Sequence, residues 1–262
     1  MGIPVIRYPL ITLILLAAAA VSCKPELKVE EQINEFHQMR KYFEDPPASH
    51  RTVPFWVWNG EVTREMIDEQ LENFHERGFG GVFVHPRYGL ITEYLSGEWF
   101  ELVEYAMKRA EKLGMYLWIY DENSFPSGFA GGHVAHEMPS SYNEGQMLKL
   151  HRQSVLQPDT SREYLHIFKD NQGISEITQN REEWEGERGS FLLFELLGYE
   201  ASDWFAGYPY VDLIKPGVTE KFIEVTMTGY EETIGQEFGG IVPGVFTDEP
   251  NIATRGHKDA IR

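Results

Sequence analysis

Cysteine is almost missing from this chain, which has one, Cys23, among 262 residues. A single thiol excludes an intrachain disulfide framework and any metal site built from cysteines. Positive charge is also scarce, with 23 Lys and Arg against 41 Asp and Glu and a formal net charge of −18. Phosphate backbones are met by basic patches, so this balance argues against a nucleic-acid partner. The apolar run at residues 10–20 is too short to span a bilayer as a helix.

That run has a different use. Arg7 precedes it and Ala20, Val21, Ser22 and Cys23 end it, the plan of a secretory signal. A cysteine directly after small residues has the form of a bacterial lipobox. Cys23 is therefore expected to become the lipidated N-terminus of an exported lipoprotein, in contact with the membrane only through its anchor. Lys24 follows rather than Asp, so the expected location is the outer membrane or periplasm.

The remainder is globular in composition, 42% hydrophobic and 24% charged. Residues 24–45 read as a tether with Ile33, Phe36, Met39 and Phe43 near helical spacing, packing a helix on the domain. Pro46 and Pro47 break it. Four stretches then share one pattern, an apolar run ending in polar residues: VPFWVWNG at 53–60, GGVFVHPRYG at 80–89, MYLWIYDENSFPSGFAGG at 115–132 and GIVPGVFTDEP at 240–250. Helical spacing separates them. Thr63 caps a pattern of Ile67, Leu71 and Phe74; Trp99, Val103, Ala106, Ala110 and Leu113 form a second; Phe222, Ile223, Thr226, Tyr230 and Ile234 form a third.

Strand, helix and strand in short succession predict an α/β fold with a parallel sheet. Polar residues at strand ends are how a β/α barrel presents its site. The expected fold is a partial (β/α)8 TIM-type barrel of about four βα units, with residues 46–132 its first part and 211–262 its continuation. Short alternating runs across residues 133–210 predict a β-rich insertion after the third strand. Four units are half of such a barrel, so the chain is expected to be a fragment or a truncated product. A complete, smaller α/β sheet is the alternative.

The chemistry falls at the strand ends. Glu249, with Asp248 beside it, could protonate a glycosidic oxygen if burial raised its pKa and a second carboxylate lay across the cleft. The alternative is a capped turn before Pro250. Asp121 and Glu122 could contact sugar hydroxyls or a divalent cation, or else hold a turn capped by Ser124 and Ser127. His85 and Arg87 could bind hydroxyls or a carboxylate. Trp56, Trp58 and Tyr120 offer faces for sugar stacking and Asn59 a directional hydrogen bond, although strand alternation sends about half of such aromatics into the core. Trp204, Phe205, Tyr208 and Tyr210 lie in the loop returning from the insertion and would make a binding wall.

Taken together, WNG, the strand ending in GG, V and HPR, YDEN followed by P and SG, and FTDEP give the segment from about Pro46 to Asn251 a family likeness. It resembles the N-terminal half of the barrel in secreted bacterial proteins related to glycoside hydrolase family 106, the α-L-rhamnosidases. The resemblance implies a β/α barrel, breakdown of extracellular oligo- or polysaccharides, an inverting mechanism and calcium. It also puts Glu249 where related barrels often keep the general acid, and it identifies no metal ligands. The competing expectation is a carbohydrate-binding surface lipoprotein without catalysis. A deacetylase would want a His/Asp metal set or a serine elbow, and neither pattern stands out.

Overall fold

The computed structural model describes residues 35–143, 146–170, 172–252 and 260–261. The signal segment, the lipidation expected at Cys23, Ile33 in the tether and Asn171 in an expected hairpin turn lie outside the described residues.

The chain forms a four-stranded parallel sheet with helices against one face and a five-stranded antiparallel sheet, four of whose strands are inserted between the third and fourth strands of the first. Helix α1 (Phe36–Glu44) forms where helical spacing predicts one, yet it buries no residue, and Phe36 and Phe43 stand exposed. Phe36 and Phe43 therefore do not make the expected contact, and the helix meets the domain through Tyr42, whose ring lies 5.7 Å from that of His50. The parallel sheet begins with β1 (Phe55–Trp58). Helix α2 (Arg64–Glu76) follows, its N-terminus closed by the Thr63 hydroxyl accepting from the Met66 amide. Strand β2 (Gly81–Pro86) starts at a crowded point, where a Cβ on Gly80 would lie 2.0 Å from the carbonyl oxygen of Ala48. Helix α3 (Gly97–Lys112), capped by Ser96, returns the chain to β3 (Tyr116–Tyr120).

After β3 the chain runs through a loop and two short helices, α4 (His133–Glu137) and α5 (Ser140–Asn143). The alternating runs then become strands β4 (Gln146–Val155), β5 (Tyr164–Asp170), β6 (Ile174–Glu176) and β7 (Arg188–Gly198). They pair antiparallel, and β11 (Ala260–Ile261) adds to the edge beside β4. A hairpin of β8 (Ala201–Ser202) and β9 (Tyr208–Pro209) precedes α6 (Val218–Ile234). Helix α6 buries Phe222, Thr226, Tyr230 and Ile234 but leaves Ile223 exposed, so its packing stripe is narrower than the sequence spacing suggested. Strand β10 (Val245–Phe246) completes the order β1-β2-β3-β10.

The register decides which face each residue takes. Phe55 pairs with Phe83, Val57 with His85 and Tyr120 with Phe246. By alternation Phe55, Val57, Phe83, His85, Trp118, Tyr120 and Phe246 share one face, and Trp56, Trp58, Val82, Val84, Leu117 and Ile119 share the other. The second set is buried with Ile67, Leu71, Trp99, Val103 and Tyr230 in the core between sheet and helices. Trp56, Trp58 and Trp99 meet edge to face at 5.1 and 5.2 Å, a geometry worth about 0.5–1.5 kcal/mol per pair beyond the area buried.

Candidate functional site

The residues expected to do chemistry gather at the C-terminal ends of β1, β2, β3 and β10, but the structure divides them into three groups. The first belongs to the core. Trp56 and Trp58 are 2% and 1% exposed on the helix-facing side, and the Trp56 indole donates to Gln70 Oε1. This corrects the expectation that they stack on a ligand, since a one-residue difference in facing sends Phe55 and Val57 to the open face instead.

The second group holds the loop after β3. Glu122 is wholly buried, and its carboxyl oxygens accept from the backbone amides of Asn123, Gly128, Phe129, Ala130 and Gly131 at 2.6–3.1 Å. Burial pushes its pKa up, against the pull of the amides of Gly131, Ala130 and Asn123, whose hydrogen bonds favour the charged form. Asp121 is buried as well. It accepts from the hydroxyls of Ser127 (2.5 Å) and Thr247 (2.6 Å), on the side of a cleft shared with α6 rather than on the open face. Glu122 thus holds the turn, as the alternative reading has it, while Asp121 is tied to two hydroxyls at the wall of that cleft. Among the described residues no group of three or more His, Cys, Asp or Glu could hold a metal ion.

Ser124 completes this latch. With φ at +82°, it donates its amide to Pro86 O and accepts at Oγ from the Tyr88 amide. The Ser127 hydroxyl accepts from the Asp248 amide, and the Ser127 amide donates to Asp248 O. One loop thereby ties the ends of β2, β3 and β10 together. The sequence expectation of a turn held by Ser124 and Ser127 anticipated part of this, whereas Thr247 went unnoticed.

The third group faces the opening. Tyr120 is buried, and its hydroxyl lies between two acceptors, Ser124 O at 2.9 Å and Asp248 Oδ2. Its ring therefore does not stack on a ligand as expected, and its hydroxyl orients Asp248. The ring of His85 packs edge-on against Tyr120 at 3.7 Å and stacks on Phe55 at 5.4 Å. Arg87 Nη1 donates to His85 Nε2 at 3.3 Å. Because a guanidinium only donates, Nε2 must accept, which assigns the histidine proton to Nδ1. Desolvation, reinforced by Arg87, lowers the His85 pKa to about 4, so the ring is neutral near pH 7.

Beyond His85 the Arg87 guanidinium lies over the rings of Phe125 (5.4 Å) and Trp204 (5.9 Å), and Trp204 stacks at 12° on Tyr88. Of the four aromatics expected in a wall, Trp204 reaches this place. Phe205 and Tyr210 are instead buried with Phe129 and Val211, and Tyr208 hydrogen-bonds His136. Asn59 is exposed at the end of β1. Asp248 is half-buried, whereas Glu249 is exposed with φ at +42°, a backbone region that ordinary side chains seldom occupy. The burial expected of Glu249 is not found.

Fold and site together define a mixed α/β protein whose four-stranded parallel sheet carries a polar cluster at its C-terminal edge. A rhamnosidase from Novosphingobium sp. PP1Y is similar over 48% of this chain and 12% of its own, at 24% identity and a TM-score of 0.35. No protein-family model and no curated protein matches the chain.

Proposed function

We propose that this chain is part of a carbohydrate-active protein of the glycoside hydrolase type, built on a β/α barrel to which the described sheet contributes four strands. The reading includes export and attachment through Cys23. The observation that carries it is the placement of Asp248, a carboxylate oriented by the Tyr120 hydroxyl on the open face of the sheet and linked through Tyr120 and His85 to Arg87. The family likeness of the strand-end motifs supports the same class. In this reading Asp248 or Glu249 protonates the leaving glycosidic oxygen, Tyr120 orients Asp248, and Asn59 and Arg87 bind the sugar.

A second reading is saccharide capture without turnover. Hydrolysis of this kind needs two carboxylates, about 5–5.5 Å apart for retention or about 6.5–9.5 Å for inversion. Asp248 and Glu249 are sequence neighbours, and the other strand-end carboxylates, Asp121 and Glu122, are occupied.

The deciding experiment assays the protein expressed from its whole gene on aryl glycosides and polysaccharides, alongside Asp248→Asn and Glu249→Gln. Turnover that falls at least about 100-fold in one variant while sugar affinity persists supports hydrolysis. Binding without turnover in the unmodified protein supports capture. Neither binding nor turnover would remove both readings.

A further inference from the structure

The sequence offers far more acid than base, and many cations are taken up by carboxylates: Arg51 pairs with Asp45, Arg109 with Asp68 and Glu72, Arg162 with Asp159 and Glu195. Arg87 is arranged differently. It has no carboxylate within 4.0 Å among the described residues, and its one hydrogen-bonding side-chain partner there is the acceptor nitrogen of His85. The planar group lies over Phe125 and Trp204, and Trp204 is itself fixed by donating from Nε1 to Phe125 O. A guanidinium carries five N–H donors and keeps its charge at any ordinary pH. With one donor spent on His85, four remain for a ligand on a group flanked by two rings that meet each other at 82°, and its fork geometry suits a carboxylate. Tyr88, 65% exposed and nearly parallel to Trp204, extends an apolar surface beside that fork.

We infer that Arg87, Trp204 and Tyr88 form a subsite for a uronic acid unit, with the sugar carboxylate on the Arg87 fork and the pyranose ring against the aromatic pair. The inference rests on the saccharide reading above and adds to it the charge of the substrate. Two features recommend a carboxylate. The fork is planar and bidentate, as the anion is, and a lasting positive charge in so acidic a chain attracts an anion that the rest of the surface repels. The subsite borders Asp248, because His85 contacts both Arg87 and the Tyr120 ring, and the Tyr120 hydroxyl meets Asp248. An acidic unit bound there would lie next to the bond on which Asp248 acts.

The test compares affinities of the whole-gene protein for a glucuronate-containing disaccharide, its neutral glucose counterpart and a sulfated counterpart, by calorimetry at low and high salt. The unmodified protein should prefer the uronate at least about tenfold over the neutral sugar, and the preference should shrink as salt rises. Arg87→Gln should bring the ratio to about one, and Arg87→Lys, which keeps the charge without the fork, should leave an intermediate ratio. Equal affinity for uronate and neutral sugar in the unmodified protein would overturn the subsite and leave the saccharide reading standing. A sulfated sugar held as tightly as the uronate would overturn the assignment to a carboxylate. Failure of all three sugars to bind would remove both proposals.

Discussion

His85 shows how much a single side chain at the strand ends depends on its surroundings. Its pKa falls from the ordinary 6.5 to about 4 because burial and the Arg87 charge disfavour the imidazolium. Between those values the unfolded chain binds a proton that the folded chain refuses, so the folded state loses stability as pH drops through that window and keeps it in full above about 6.5. The full shift is worth about 3 kcal/mol, and about 2 kcal/mol once the open cleft beside the ring is allowed for. Urea unfolding at about pH 7 and pH 4.5 should show wild type losing about 2 kcal/mol more than His85→Asn. Equal losses would mean that His85 is protonated in the fold. That His85 and Arg87 end a strand was legible in the sequence. Their mutual hydrogen bond was not, since residues two apart on a strand share a face without any sign of which atoms meet.

The loop after β3 is organised by one carboxylate rather than by its own apolar contacts. Five amides converge on Glu122, and Gly128 and Gly131 adopt positive φ to bring two of them there. Replacing one carboxyl oxygen by an NH2 group sets a donor against donors. Glu122→Gln should therefore cost about 3–5 kcal/mol in chemical denaturation. A cost below about 1 kcal/mol would mean that the amides find other acceptors. Asp-Glu at a strand end looks the same in sequence whether it faces a ligand or its own backbone, which is why both residues were expected at the site. Similarly, Phe55-Trp56-Val57-Trp58 is apolar at every position, so no polarity marks the buried face; only the register against β2 and the position of the helices decide it.

At the scale of the molecule, the parallel sheet was legible because helical and strand periods alternate cleanly, with α2 and α3 opened by the Thr63 and Ser96 caps and followed by Gly78 and Gly114 at positive φ. The α/β class and the four parallel strands agree with the expectation. On the open face of the sheet the β1 side is exposed, with Phe55 at 47% and Val57 at 44%, and β1 and β10 are the edges of the sheet among the described residues. Apolar surface beside unpaired strand edges promotes association. Residues 24–262 produced alone should sediment as a concentration-dependent mixture; a monomer at every concentration that binds no apolar dye would contradict the exposure seen on this face.

The row Trp56, Trp58 and Trp99 has a spectroscopic consequence. Indole transitions held edge to face at 5.1 and 5.2 Å couple, so the native chain carries an exciton band in circular dichroism that an unfolded chain, with its rings apart, does not. Because Trp99 rides on α3 and the other two on β1, the Trp58–Trp99 part of that band follows the seating of helix on sheet, without a label and without any knowledge of the ligand.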